Sequence, residues 1–176
     1  AAPFISTGTR AASPDKKLGV ALCGLGNLST KQIAPALQKT QHCRVAGIVT
    51  DTPAKADQWR KQYNLPKGSV YSYDTIHRMT DNDDIDVVYV VTPNALHLEH
   101  TLAAAKAGKH VFCEKPLEIS VQRCQQMIDA CKAAGRMLGT AYRCRFEPHH
   151  LECIRIAREQ ELGAVRIIEA GFGIDV

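Results

Sequence analysis

A chain of 176 residues can bury a full hydrophobic core, and one domain is the default count at this length. With 45% hydrophobic and 23% charged residues and a formal net charge of +4, the composition is that of a folded globular protein. It lacks the basic runs of a nucleic-acid binder, and no apolar run approaches the roughly 20 residues that span a bilayer.

Strand and helix patterns alternate along the chain. Residues 1–17, rich in Ala, Ser, Thr and Pro, read as an irregular N-terminal arm, consistent with a processed terminus. Leu18 to Cys23 is a short buried strand running into Gly24-Leu25-Gly26, and a helix follows through Lys39 with Ile33, Ala36 and Leu37 at helical spacing. Arg44 to Val49 is the second strand, and Pro53 opens the second helix. Val70 to Tyr73 is a third strand, with a small helix from Asp74 and a solvated acidic turn at Asp81 to Asp84.

Val87 to Val91 is the most hydrophobic strand and is expected to be central. Helix Ala95 to Ala107 then ends at Gly108, strand His110 to Cys113 follows, and helix Val121 to Ala134 ends at Gly135. Strand Met137 to Ala141, helix His149 to Glu161 and an alternating strand from Val165 to Ile174 complete the pattern. The expected fold is α/β, a doubly wound parallel sheet over residues 18–163, with 164–176 as the start of a second domain. Seven cysteines, an odd number with Cys23 and Cys113 inside apolar runs, read as small hydrophobes in a reducing compartment; they form neither a disulfide framework nor a zinc set, and no metal is expected.

The chemistry collects at the strand ends. Gly24-Leu25-Gly26-Asn27-Leu28-Ser29 follows the first strand as a dinucleotide fingerprint, with serine in the third glycine's place. The first glycine makes the tight turn, and the second lets the backbone approach a pyrophosphate at a helix N-terminus. At the tip of the second strand Thr50 is neutral where an acid would repel a 2′-phosphate, and Lys55, a turn into the next helix, offers a positive charge. This favours NADP; Asp51, turned inward onto ribose hydroxyls, would favour NAD, and Lys55 is otherwise a solvated lysine.

The central strand leads into Val91-Thr92-Pro93-Asn94-Ala95-Leu96-His97, where Thr92 and Asn94 offer polar groups to a ligand. Asn94 is also a candidate helix cap, and His97 either faces the cofactor or sits in the first helical turn. The next strand ends in Glu114-Lys115-Pro116. A lysine beside an oxidised nicotinamide has its ammonium disfavoured and can position or deprotonate a substrate hydroxyl, while Glu114 can accept from ribose hydroxyls.

Together with Ala107-Gly108-Lys109-His110-Val111 and Tyr142-Arg143, these motifs resemble the Gfo/Idh/MocA oxidoreductases from about Lys17 onward, and within them the glucose–fructose oxidoreductase branch. The resemblance implies that Lys115 is the catalytic lysine, that the Lys115–Pro116 bond is cis, and that Glu114 touches the nicotinamide ribose. It further implies that Tyr73 and Arg143 enclose the cofactor and that Thr50 and Lys55 meet its 2′-phosphate. The chain departs from that pattern at Ser29, which replaces a small Gly or Ala, and at Asp51, where the branch has glycine. It also implies a sugar substrate, a homo-oligomer, a periplasmic location (a cytoplasmic one being the alternative), and a second domain that begins near Val165. A nucleotide-binding sensor without catalysis is the competing reading.

Overall fold

The computed structural model describes residues 16–171; most of the expected arm and the end of the expected last strand lie outside them. The described residues divide into two compact units, the first ending at Ala141 and the second beginning at Tyr142.

The first unit is built on six short strands: β1 (Leu18–Cys23), β2 (Cys43–Val49), β3 (Val70–Tyr71), β4 (Val87–Val90), β5 (His110–Cys113) and β6 (Leu138–Thr140). All pair in parallel, in the order β3-β2-β1-β4-β5-β6. The order reverses between β1 and β4, so their carboxyl ends diverge into the crevice where sheets of this kind bind ligands. Four helices cross over: α1 (Ala34–Lys39), α2 (Pro53–Gln62), α3 (His97–Lys106) and α4 (Val121–Ala133).

Alternation along the strands divides the core between the two faces. Ala21, Cys23, Val88, Val90, Val111 and Cys113 pack with Leu98 and Ala104 of α3 and Met127 and Cys131 of α4. Val20, Leu22, Val45 and Ile48 pack with Ala34 of α1, Trp59 of α2 and Leu65. Burying each Leu, Ile or Val contributes about 1.5–3 kcal/mol, and here that burial draws helices onto both faces. Helices on both faces of a parallel sheet make the fold doubly wound.

Several elements differ from the sequence reading in extent. A π-helical turn (Ser29–Ile33) precedes α1, and Ala34, not Ala36, is the buried alanine. The third strand stops at Tyr71, because Ser72 and Thr75 form a capping box that starts a 3-10 helix over Tyr73–Asp81. Gly24, Gly108, Gly135 and Gly163 all have positive φ.

The second unit holds a 3-10 turn (Arg143–Phe146) and α5 (Pro148–Glu159), which ends at Gln160 in the left-handed region, short of Gly163. Residues 165–171 form no strand: Val165, Ile167 and Ile168 are exposed, and none of the described residues pairs with their backbone. Alternation supplies only one half of a ladder. No helix among the described residues is long and apolar enough to cross a membrane.

Candidate functional site

The carboxyl end of β1 sets the geometry. Gly24 has φ +99°, and a Cβ there would stand 3.0 Å from both the Thr92 Cγ2 and the Val91 carbonyl oxygen, so only glycine makes this turn without strain. Ser29, fully buried, donates its hydroxyl to the Gly24 carbonyl at 2.5 Å and ties the turn to the following helix. Gly26 is different: nothing lies within 4 Å of where its Cβ would be, and the residue is exposed. Its backbone faces open space at the start of the helical run 27–39.

Beside this turn, the Thr50 hydroxyl accepts the Thr52 N–H at 3.3 Å, and the Lys55 ammonium donates to the Leu25 carbonyl at 3.4 Å. The Asp51 carboxylate accepts the Tyr73 N–H at 3.1 Å. A cleft of about 240 Å³ opens here, lined by Gly24, Leu25, Gly26, Thr50, Asp51, Thr52, Lys55, Tyr73, Val91, Thr92 and Pro93. A larger cavity, about 490 Å³, lies at the β3 edge between Pro66 and Asp84; no glycine turn or strand tip of the fingerprint reaches it. The smaller cleft is the one that the fingerprint residues line.

Nine of the sequence-predicted residues therefore line one cleft, joined by Asp51 and Thr52. Asn27 and Leu28 sit beside it on the helical run, and Asn94 and Leu96 lie exposed on a 3-10 turn. Neither that turn nor α3 has a side-chain N-cap, so Asn94 does not cap the helix as expected. Glu114 and Lys115 follow β5, one strand further along; the Glu114 carboxylate accepts from the Tyr89 hydroxyl at 2.8 Å and from the Lys115 N–H at 3.2 Å, and Lys115 itself is exposed. The Lys115–Pro116 bond is cis. Arg143 belongs to the second unit, where its guanidinium meets Glu147 at 3.3 Å.

His97 requires a correction. It is fully buried and its ring meets only backbone carbonyls, so it lies beneath the strand ends and does not face the cleft. The sequence reading also missed His100, three residues on along α3. Its Nδ1 is 2.9 Å from the Thr92 hydroxyl, and its ring stacks on Tyr73 with centroids 4.8 Å apart. Burial lowers its proton affinity, and the neighbouring His97 adds to the effect.

Also missed was Glu118. Its buried carboxylate accepts from Arg123 at 2.9 Å and from the Ile119 and Leu98 N–H groups, and the Arg123 partner holds it below the usual carboxylate range. A lone buried glutamate with an arginine five residues on, flanking the Glu-Lys-Pro motif, was the available signal.

The cysteines divide. Cys23, Cys113 and Cys131 are buried, with burial pushing Cys113 up to about 12 and Cys131 to about 11, as inert small hydrophobes should be. Cys144 and Cys153 are exposed, so the hydrophobe reading fails there. Cys144, Glu147 and His150 bring ligand atoms within 4.8 Å of one another, a cluster not singled out by sequence, but Glu147 is already engaged by Arg143 and His150.

The cleft suits a pyrophosphate and its attached nucleosides: a glycine turn with one open Cβ position, a helix start, a lysine ammonium and neutral hydroxyls. Residues 18–142 match the model of the GFO_IDH_MocA oxidoreductase family, described by its NAD-binding Rossmann fold. The chain is 32% identical over 134 residues to a D-xylose 1-dehydrogenase [NADP(+)] of Haloarcula marismortui, covering 76% of this chain and 37% of that protein. It is 31% identical to a 1,5-anhydro-D-fructose reductase of Ensifer adhaerens, over 86% of this chain and 45% of that one.

Among solved structures, the aldose-aldose oxidoreductase of Caulobacter crescentus, complexed with glycerol, superposes with a TM-score of 0.81 at 47% identity, over 82% of this chain and 43% of that one. The chain thus spans less than half the length of these relatives. It belongs to the Gfo/Idh/MocA oxidoreductase family and carries that family's NAD-binding Rossmann fold.

Proposed function

We propose that this chain is the cofactor-binding part of an NADP-dependent sugar oxidoreductase. The observation that carries the reading is the Lys55 ammonium lying against the Leu25 carbonyl, in one cleft with the neutral Thr50. A cation and a hydroxyl at the tip of the second strand suit a 2′-phosphate, and the one acid nearby, Asp51, has its carboxylate engaged by the Tyr73 amide. The relatives named for NADP and for sugars or sugar derivatives support the same reading.

Gly24 makes the tight turn, Gly26 would let the backbone approach the pyrophosphate, and Thr92 and Pro93 line the same cleft and would hold the cofactor there. Lys115, exposed beyond β5, orients the substrate oxygen, while Glu114, held by Tyr89, is available to a ribose hydroxyl. When bound, the nicotinamide supplies the hydride donor or acceptor for a sugar carbon. The finer reading is an enzyme of the glucose–fructose oxidoreductase kind, which oxidises one sugar and reduces another. Its support is the 47% identity to an aldose-aldose oxidoreductase.

Fluorescence titration with NADPH and NADH tests the cofactor assignment. The native protein is expected to bind NADPH more tightly, and Thr50→Asp to shift the preference toward NADH by about tenfold or more, the worth of one charge-assisted contact. Equal affinities for both cofactors in both proteins would sink the assignment.

A further inference from the structure

His97 opens α3 with no exposed surface, and every polar atom that its ring meets is a carbonyl oxygen. Nδ1 stands 3.1 Å from the oxygen of Pro116 and 3.0 Å from that of Leu117, and Nε2 stands 2.9 Å from that of Thr92. Carbonyl oxygens only accept. A neutral imidazole has one N–H and one lone pair, so either tautomer would aim a lone pair at a carbonyl on one side. The doubly protonated ring has a donor for each side.

The carbonyls it meets belong to two different strand-end segments. Thr92 follows β4 and lines the cleft; Pro116 and Leu117 follow β5, directly after Lys115. The ring therefore joins the floor of the cofactor cleft to the segment that carries the substrate-facing lysine. The Thr92 hydroxyl is held separately by His100, so His97 acts on the main chain alone.

We propose that His97 is a positioning residue, held as an imidazolium, that clamps the Lys115-bearing segment to the Thr92 edge of the cleft. The positioning role rests on the functional reading above; the charge state of the ring does not.

The surroundings are compatible with a buried cation. Burying an imidazolium costs desolvation free energy, which its charge-assisted bonds to three carbonyls offset. On its own helix it faces His100, whose protonation is disfavoured. On the β5 side, Glu118 accepts from the N–H of Leu98, the residue after His97, and is paired with Arg123. The Cys113 thiol, 3.9 Å from the Leu117 carbonyl, stays protonated at neutral pH. The clamp has a second fastening too, because Arg123 also donates to the Ala95 carbonyl at 2.9 Å.

Long-range proton–nitrogen correlation NMR on histidine-labelled native protein reads the ring directly, without cofactor or turnover. Both ring nitrogens of His97 are expected to carry protons at neutral pH; a lone-pair nitrogen overturns the charged clamp. In the complete enzyme His97→Gln and His97→Asn, which keep one donor, are expected to lower kcat by about 10- to 100-fold, as small misplacements of reacting groups do, with NADPH affinity within about threefold of native. Unchanged kcat, or a loss confined to NADPH affinity, overturns the positioning role. Native protein that fails to bind NADPH overturns the cofactor reading and the positioning role with it, whereas the ring-proton result stands by itself.

Discussion

Lys55, in the first turn of α2, reaches across the crevice to the carbonyl of Leu25 in the glycine turn after β1, at 3.4 Å. A lysine two residues past the helix-opening Pro53 would ordinarily extend into solvent, where its rotamer entropy is retained. Its placement instead keeps a positive charge in the cleft beside Thr50, where the 2′-phosphate of a dinucleotide would lie.

Lys55→Ala should therefore weaken NADPH binding by about tenfold or more, since a hydrogen bond to a charged group is worth about 1.5–3 kcal/mol. NADH, lacking the 2′-phosphate, should lose much less. Isothermal titration of both cofactors against both proteins checks this, and equal losses for the two would detach Lys55 from the 2′-phosphate.

The two fingerprint glycines should fail in different ways. Gly24→Ala places a Cβ against Thr92 and the Val91 carbonyl at a φ of +99°, and is expected to cost more than about 1 kcal/mol of stability. Gly26→Ala meets open space at an ordinary φ, so stability should change by less than about 0.5 kcal/mol. Its methyl group would instead occupy the approach to the pyrophosphate. Thermal melts should thus separate Gly24→Ala from native, and NADPH titration should separate Gly26→Ala.

Sequence alone reached the strands, their central member and the cleft, because burial on both faces of a parallel sheet writes itself as apolar runs and glycines mark the turns at their ends. Strand His110 to Cys113 was read to the residue. Less legible was anything that depends on which way a side chain points after the chain has turned. His97 read as a ligand candidate because it follows Asn94 in a motif, yet α3 starts at His97 itself and rotates the ring inward onto carbonyls 19 and 20 residues away.

His100 and Glu118 escaped for a related reason. Their partners, Thr92 and Tyr73 for one and Arg123 and Leu98 for the other, become neighbours only through crossover packing. The strand expected from Val165 shows the converse limit: alternation states a preference for an extended chain, but a ladder needs a partner, and none of the described residues supplies one.

Glu118 makes the attachment of the Lys115 segment sensitive to acid. Its carboxylate is held below the usual range, first by the Arg123 guanidinium and then by the Ile119 and Leu98 N–H groups, against the opposing effect of burial. The folded protein therefore binds this proton less readily than the unfolded chain, and stability rises with pH through the window. The contribution is fully present above the unfolded carboxylate value of about 4.3 and is lost as pH falls through the lower folded value.

Because Arg123 is partly exposed, solvent screens the pair, and Glu118→Gln should cost about 1–2 kcal/mol at neutral pH. The gap in Tm between native protein and Glu118→Gln should narrow as the buffer is taken from neutral toward pH of about 3, since protonated glutamate and glutamine differ little in charge. A gap that stays constant across that range would mean that the carboxylate's charge contributes nothing, and that Glu118 holds the segment by its shape and neutral hydrogen bonds alone.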